Sequence, residues 1–459
     1  MFRSSLKTIG RGLTGLTSLL GGRGRKNRID LANGDIDLLK RQLDQWVKAH
    51  GGEVSARDHA RQIGELYLML SDTGRRRFLQ LLARDFGIDR EAMKEQCRAY
   101  LQEDADHGRI EQTIHELLEP PRLKLLSQFN TLPNGIKFLV DLRRDLLALS
   151  DQEPELADFD RELRHLLATW FDVGFLQLQQ IDWNSPASLL EKLVAYEAVH
   201  EIHSWQDLRH RLHLDRRCYA FFHPNMPGEP LIFVEVALTR GMADSIQTLL
   251  DESTPDVAPQ EADTAIFYSI SNAQQGLRGI SFGNFLIKRV VEKLKVELPN
   301  IKTFATLSPI PGFARWVSRL DKEHLQELAG TERLDRVVRK TGGDPDNPIA
   351  YLLEVPAWHR DAALADVVRP ALEKLLFHYF HTRRSDNQPI DPVQRFHLGN
   401  GARLERVNWL GDTSPKGMKQ SFGLMVNYLY RLQDIDKNHE AYATNRRIAI
   451  SSAVKALGK

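Results

Sequence analysis

The chain has little cysteine, no strong net charge and no long hydrophobic run. Its 459 residues include 2 cysteines, Cys97 and Cys218, which lie far apart and outside any Cys-x-x-Cys or Cys/His cluster. This excludes a disulfide framework and argues against a structural zinc site. The net charge of +1 and the absence of a basic stripe argue against a nucleic-acid partner. The apolar run Leu13–Leu20 is too short to span a membrane, so we expect no stable membrane insertion.

Residues 1–30 are predicted to form a basic, disordered tail. Positions 1–28 contain no acidic residue, carry several Arg and Lys, and are rich in glycine. Such composition is typical of a solvated tail in a bacterial, cytoplasmic protein. Two alternatives stay open: a transit peptide, which would direct the chain to the mitochondrial matrix, and a helix that lies on a membrane surface.

Residues 31–178 are predicted to form an all-helical domain. Apolar side chains recur at helical spacing, as in Leu38, Leu39 and Leu43, and Pro-rich breaks separate the patterns. No catalytic constellation is found there. Because helical faces without chemistry usually bury something, we expect this domain to pack against other subunits as well as against the rest of the chain.

Residues 179–459 are predicted to form a mixed-sheet domain, so the fold class is α+β and multidomain. Cys218–His223 and Leu231–Leu238 have the composition of two hairpin strands. Thr264–Ser271 is a buried strand, a helix begins near Asn284, and Thr303–Leu307 is a second strand. Positions 318–395 are mainly helical and are interpreted as a lid or an insertion beside the sheet.

The connection between the predicted strands Thr264–Ser271 and Thr303–Leu307 carries Gly276, Gly279 and Gly283 in a loop before the helix. Glycines just before a helix let backbone N–H groups converge on a phosphate. The spacing matches neither a dinucleotide fingerprint nor a Walker loop, so a simple tight turn is an equal alternative. Ser308 follows the second strand, at the sheet edge where ligands collect in open sheets. Taken alone, Ser308 is more typical of a turn residue that caps the Pro-rich bend than of a catalytic residue.

The histidines of the chain form few patterns that are typical of a metal site or a catalytic site. His210 and His213 lie three apart, but no carboxylate or cysteine motif joins them, so we predict no metal site. His397 lies between apolar residues before Asn400 and Gly401. Taken alone, it is more typical of a packed core histidine than of a catalytic one.

Several long motifs, in order, resemble the malonyl-CoA decarboxylase family over about Trp183 to Tyr430. They read AIFYSIS, QQGLRGISFGNFLIKRVV, LSPIPGF, FHLGNGARLERVNWLGDTSPKG and FGLMVNYLY. The resemblance implies a helical N-terminal domain and a catalytic domain of the GNAT acetyltransferase superfamily. It also implies conversion of malonyl-CoA to acetyl-CoA and CO2 without a cofactor, in fatty acid metabolism, by a homodimer or homotetramer.

The resemblance also implies roles for individual residues. Ser308 matches a catalytic serine that accepts a proton or orients the carboxylate, and His397 matches the histidine that protonates C2. Tyr430 matches a tyrosine that could hydrogen-bond this pair or close the pocket. The implied CoA-binding residues are Arg278, Gly279, Ile280, Ser281, Phe282, Gly283 and Asn284. Ser281 departs from the family, since animal members place a carboxylate in this loop, and Gln275 to Gly279 is offset by one residue from the usual GNAT loop pattern.

Two other functions remain as alternatives. A GNAT-type acyltransferase would use the same CoA platform to acylate an amine. A non-catalytic acyl-CoA-binding protein would bind the thioester without needing Ser308 or His397.

Overall fold

The computed structural model describes residues 28–48, 53–102, 104–150, 152–171, 173–280, 286–355 and 357–459. The predicted tail therefore lies outside the described residues up to position 27. At Ile29 the chain is already paired, since Ile29 N donates to Met69 O at 3.1 Å and Ile29 forms a β-bridge with Leu70. Among the described residues, no helix combines the length and apolar composition needed to cross a bilayer.

The first part of the described chain is helical, as predicted. A typical member is Asp72–Asp85, which begins where Ser71 Oγ accepts a hydrogen bond from Gly74 N at 3.0 Å and buries Phe78 and Leu82. The helices are α1 (Asn33–Lys48), α2 (Glu53–Met69), α3 (Asp72–Asp85), α4 (Arg90–Tyr100), α5 (His107–Leu117), α6 (Pro121–Ser127), α7 (Gly135–Ser150) and α8 (Ala157–Trp170).

The second part contains one mixed sheet. Its strands are β1 (Gln177–Ile181), β2 (Arg216–Phe222), β3 (Pro230–Thr239), β4 (Thr264–Asn272), β5 (Thr303–Thr306), β6 (Ser308–Pro309), β7 (Arg403–Asn408) and β8 (Met425–Leu429). The strand order is β1-β2-β3-β4-β5-β8-β6, and β7 also pairs with β8. β4 and β5 are parallel, whereas β3 is antiparallel to β4 and β8 is antiparallel to β5, β6 and β7.

The helices of the second part connect and cover these strands. They are α9 (Ala187–Tyr196), α10 (Trp205–Arg211), α11 (Ile246–Leu250), α12 (Leu286–Glu297), α13 (Phe313–Val317), α14 (Lys322–Ala329), α15 (Thr331–Thr341), α16 (Pro348–Tyr351), α17 (Ala362–His381), α18 (Pro392–Gly399), α19 (Pro415–Ser421), α20 (Leu432–Asn445) and α21 (Ser452–Ala456). α12 is the crossover between β4 and β5, and it buries Val290 and Leu294, which lie four positions apart on one face of the helix. Val296 is apolar but 83% exposed, because two residues past Leu294 the helix has turned by about 200°.

The chain forms two compact units. The first contains the described residues up to Leu176 together with the β2–β3 connection and the loop that begins at Gln274. The second contains the remaining sheet and its helices. The fold class predicted from sequence, a helical N-terminal region followed by a mixed-sheet domain, is confirmed.

Candidate active site

One face of the sheet carries hydroxyl side chains where β5, β6 and β8 meet. Thr306 pairs with Phe267 of β4, and Ser308 pairs with Val426 of β8. Since side chains alternate between faces along a strand, Thr306 and Ser308 lie on one face, and so do Val426 and Tyr428. Ser308 is 5% exposed and Thr306 is fully buried. The insertion of β8 between β5 and β6 therefore brings these residues together.

His397 reaches this face from α18. That helix begins at Pro392 and is capped by Asp391, whose carboxylate accepts a hydrogen bond from Gln394 N at 2.8 Å. His397 is in the last turn and is buried. Its ring stacks on the ring of Tyr428, with centroids 4.5 Å apart and an interplanar angle of 23°. The helix and the tyrosine together fix the orientation of the imidazole.

A chain of hydrogen bonds links the three predicted catalytic residues. Ser308 Oγ lies 3.1 Å from His397 Nε2, and Tyr430 Oη lies 2.7 Å from His397 Nδ1. Ser308 Oγ donates to Thr306 Oγ1 at 2.8 Å, and Thr306 Oγ1 also accepts from Tyr428 N at 3.0 Å. Ser308 and Tyr430 are 89 and 33 positions from His397 in the sequence, so the fold assembles the site.

The direction of donation assigns the tautomer of the imidazole. Because the Ser308 hydroxyl proton goes to Thr306, Ser308 Oγ is free to accept from Nε2–H of His397. Nδ1 then accepts from the hydroxyl of Tyr430. The resulting chain runs from Tyr430 through His397 and Ser308 to Thr306. It presents His397 as a proton donor toward Ser308.

Burial sets the protonation state of the site. It lowers the pKa of His397 to about 3, and it raises the pKa of Tyr430 well above the usual value. Among the described residues, none with a carboxylate is hydrogen-bonded to this histidine or to Ser308. The imidazole is therefore neutral in the free protein, since nothing compensates the cost of a buried positive charge.

The second glycine of the FHLGNGA motif, Gly401, is required by the local backbone structure. Gly401 has φ +78, a left-handed conformation, and a Cβ built on it would lie 2.2 Å from the carbonyl oxygen of Ile435. Any larger residue would collide with the backbone of α20. Gly401 thus lets the chain turn between His397 and β7.

The predicted CoA-binding residues are only partly described. Arg278 and Gly279 are exposed and Ile280 is buried, all within the first compact unit. The other four, Ser281, Phe282, Gly283 and Asn284, lie outside the described residues. Gly279 has φ +79, which explains the need for glycine at this position.

Thr306 and Tyr428 were not predicted from the sequence as residues of the site. Each lies two positions before a predicted site residue, Ser308 and Tyr430 respectively, on or beside the same strand. The period of two in a strand places such neighbours on one face, and this signal was sufficient to find them.

The described residues contain one group of side chains with metal-ligand character. It consists of His213, Asp215 and Asp256, whose ligand atoms lie within 4.8 Å of one another. The tertiary fold brings Asp256 to His213, whereas Asp215 lies only two positions further along the chain, and His210 is not part of the group. Asp215 Oδ2 already pairs with Arg216 at 2.6 Å, and the guanidinium opposes a cation there.

The helical region, the mixed sheet and the buried serine–histidine contact define the class of the protein: an α+β protein with a site suited to proton transfer. Models of the malonyl-CoA decarboxylase C-terminal domain and N-terminal domain match residues 174–459 and 86–171. The chain therefore belongs to the malonyl-CoA decarboxylase family and is a decarboxylase, a carboxy-lyase. This confirms the family predicted from the motifs.

Individual relatives agree with the family models. The mitochondrial malonyl-CoA decarboxylase of Anser anser anser is 38% identical over 402 residues, which cover 83% of this chain and 80% of the relative. Its counterpart from Rattus norvegicus is 36% identical over 433 residues, covering 91% and 85%. The crystal structure of malonyl-CoA decarboxylase from Rhodopseudomonas palustris is 43% identical, with a TM-score of 0.83, and the match covers 92% of this chain and 99% of that one. The structure from Agrobacterium vitis is 45% identical, with a TM-score of 0.79 and coverage of 93% and 100%.

Proposed function

We propose that the protein decarboxylates malonyl-CoA to acetyl-CoA and CO2 without a cofactor, using Ser308 and His397. The observation that carries this proposal is the buried contact of 3.1 Å between Ser308 Oγ and His397 Nε2. Family membership supports the substrate, since the relatives described above are malonyl-CoA decarboxylases.

The protonation state of the free site suggests how substrate binding prepares catalysis. His397 is neutral because burial lowers its pKa and no carboxylate of the described residues is hydrogen-bonded to it. The malonyl carboxylate would bring a negative charge into this site, and an adjacent opposite charge favours the charged form of a histidine. Substrate binding is thereby coupled to uptake of one proton on His397. Ser308 accepts a hydrogen bond from Nε2 and helps orient the carboxylate.

The chemical step is decarboxylation followed by protonation of C2. The bond between C2 and the carboxylate carbon breaks, CO2 leaves, and the electron pair remains in the thioester enolate. The imidazolium of His397 transfers its proton to C2, which gives acetyl-CoA and returns the histidine to its neutral form. Each turnover consumes one proton from solvent. Tyr430, through its hydrogen bond to Nδ1, keeps the imidazole aligned for the transfer.

The test is to incubate EDTA-treated protein with malonyl-CoA and to follow acetyl-CoA by chromatography. We expect turnover by the wild type and losses of at least about 100-fold in His397→Asn and Ser308→Ala, as is usual for acid–base groups. His381→Asn is the matched control, because His381 is exposed and contacts the backbone of its own helix. Absence of acetyl-CoA with the wild type would overturn the proposal and direct the next assay to acyl transfer onto an amine. Activity that EDTA removes and a divalent cation restores would overturn the cofactor-free part.

We propose further that this reaction lowers malonyl-CoA levels in fatty acid metabolism, in the cytoplasm. We also propose that the helical region joins subunits into a dimer or a tetramer. Light scattering of the full chain tests the assembly, because it gives the molecular mass in solution for comparison with the 52.5 kDa of one subunit. A monomer at working concentration would contradict the proposed assembly.

A further inference from the structure

The described part of the glycine loop forms a type II β-turn. Ile280 N donates to Leu277 O at 3.0 Å, Arg278 has φ −54 and ψ 130, and Gly279 has φ +79. These values match type II, in which the third residue must adopt a left-handed conformation that glycine tolerates best. In a planar trans peptide the C=O and N–H groups point in opposite directions. The Arg278 carbonyl and the Gly279 N–H therefore lie on opposite sides of the turn.

A buried arginine from the helical region holds one side of this turn. Arg143 of α7 is 1% exposed, and its Nη1 donates to Gly276 O at 2.7 Å and to Arg278 O at 2.9 Å. Its Nε donates to Asp160 Oδ1 at 2.9 Å, which balances its charge. Helix α7 and the turn belong to the same compact unit.

The packing under the turn disfavours another arrangement. A Cβ built on Gly276 would lie 1.8 Å from the carbonyl oxygen of Val140 on α7, so the loop lies directly against the helix backbone. A flip of the central peptide to type I would turn the Arg278 carbonyl away from Arg143. Arg143 would then be a buried guanidinium that has lost an acceptor, which is costly.

The other side of the turn presents donors and positive charge. The Gly279 N–H donates to no acceptor among the described residues, and both Arg278 and Gly279 are exposed. Arg164 of α8 passes beside the turn, with Nη1 3.9 Å from the position of a Cβ on Gly279. A free backbone N–H in a turn beside the Arg164 guanidinium is suited to an anion such as a phosphate.

We infer that Arg143 is a positioning residue for binding of the diphosphate of malonyl-CoA. It selects the type II turn and so aims the Gly279 N–H away from the helical region, toward the anion. This inference rests on the proposed function, because it takes malonyl-CoA as the substrate. It also assigns to the helical region a part in substrate affinity, although no side chain of α7 contacts the substrate in this proposal.

The test compares two substrates, malonyl-CoA and malonyl-pantetheine, which lacks all phosphates. Arg143→Lys keeps the charge opposite Asp160, but a single ammonium cannot reproduce the planar fork that serves two carbonyls and a carboxylate. We expect KM for malonyl-CoA to rise roughly tenfold, the effect of losing about one hydrogen bond to a charged group, with kcat within about threefold of the wild type. For malonyl-pantetheine, KM should not change. Arg144→Met, at the neighbouring half-exposed position of α7, is the matched control and should leave both constants unchanged.

A second variant keeps the inference testable if Arg143→Lys fails to fold. Gly279→Ala leaves Arg143 and its partners in place but strains the left-handed residue of the turn, and it should raise KM for malonyl-CoA alone. Equal changes for both substrates, or no change in either variant, would overturn the inference while leaving decarboxylation intact. If the wild type processes neither substrate, the proposed function itself fails.

Discussion

Thr306→Val is the substitution that most directly tests the direction of the hydrogen-bond chain. Valine has nearly the shape of threonine, so packing at this fully buried position is preserved, but the Oγ1 acceptor is lost. Two donors then lose their partner: the hydroxyl of Ser308 and the backbone N–H of Tyr428. The first loss concerns activity and the second concerns stability.

The two effects have different magnitudes. Without Thr306 as its acceptor, the Ser308 hydroxyl turns toward His397 Nε2, which requires the other imidazole tautomer and removes the donor from that side. A neutral hydrogen bond contributes about 1–2 kcal/mol to this preference, so kcat should fall roughly 5- to 30-fold with little change in KM. The unpaired N–H of Tyr428 should lower the free energy of unfolding by about 1–3 kcal/mol.

The assay measures kcat for malonyl-CoA together with urea unfolding of the same preparations. Thr306→Ser retains the hydroxyl and is the control, with kcat expected within about threefold of the wild type. A folded Thr306→Val protein with unchanged kcat would refute the assigned direction of donation. If Thr306→Ser lost as much activity as Thr306→Val, the methyl group rather than the hydroxyl would be responsible.

Two further predictions concern the same site. Burial lowers the pKa of His397 to about 3, against about 6.5 for an unfolded histidine, so between these values the unfolded chain binds one more proton. The stability due to the neutral imidazole is fully present above about pH 6.5 and is lost as the pH falls toward 3. His397→Asn should therefore make the unfolding free energy fall less steeply between pH 6 and 4, by up to about 1.4 kcal/mol per pH unit. Urea titration at several pH values measures this slope. The same slope in the variant and the wild type would contradict the assignment of a neutral buried histidine. Gly401→Ala places a methyl group 2.2 Å from Ile435 O at a left-handed φ, so we expect a loss of about 2 kcal/mol or more in thermal unfolding experiments. Gly34→Ala, where a Cβ meets nothing within 4 Å, is the control; equal unfolding temperatures for the two variants would show that the backbone relaxes at Gly401.

Local elements were predictable because their determinants are neighbours in the chain. The strand Thr264–Asn272, the helix Leu286–Glu297 and the long helix Ala362–His381 follow from apolar periodicity and from capping residues. The family motifs supplied Ser308, His397 and Tyr430, whereas Ser308 and His397 taken alone each had an ordinary structural explanation.

The sequence alone therefore determined the fold class, the family and the three residues that the structure brings into contact. Only the tertiary structure decided how they interact: β8 lies between β5 and β6, which places Thr306 beside Ser308 and fixes the tautomer of His397. It also decided that Arg143 binds the loop 133 positions away. Sheet order and buried side-chain pairing depend on which distant surfaces exclude water together, and no local pattern in the sequence encodes that choice.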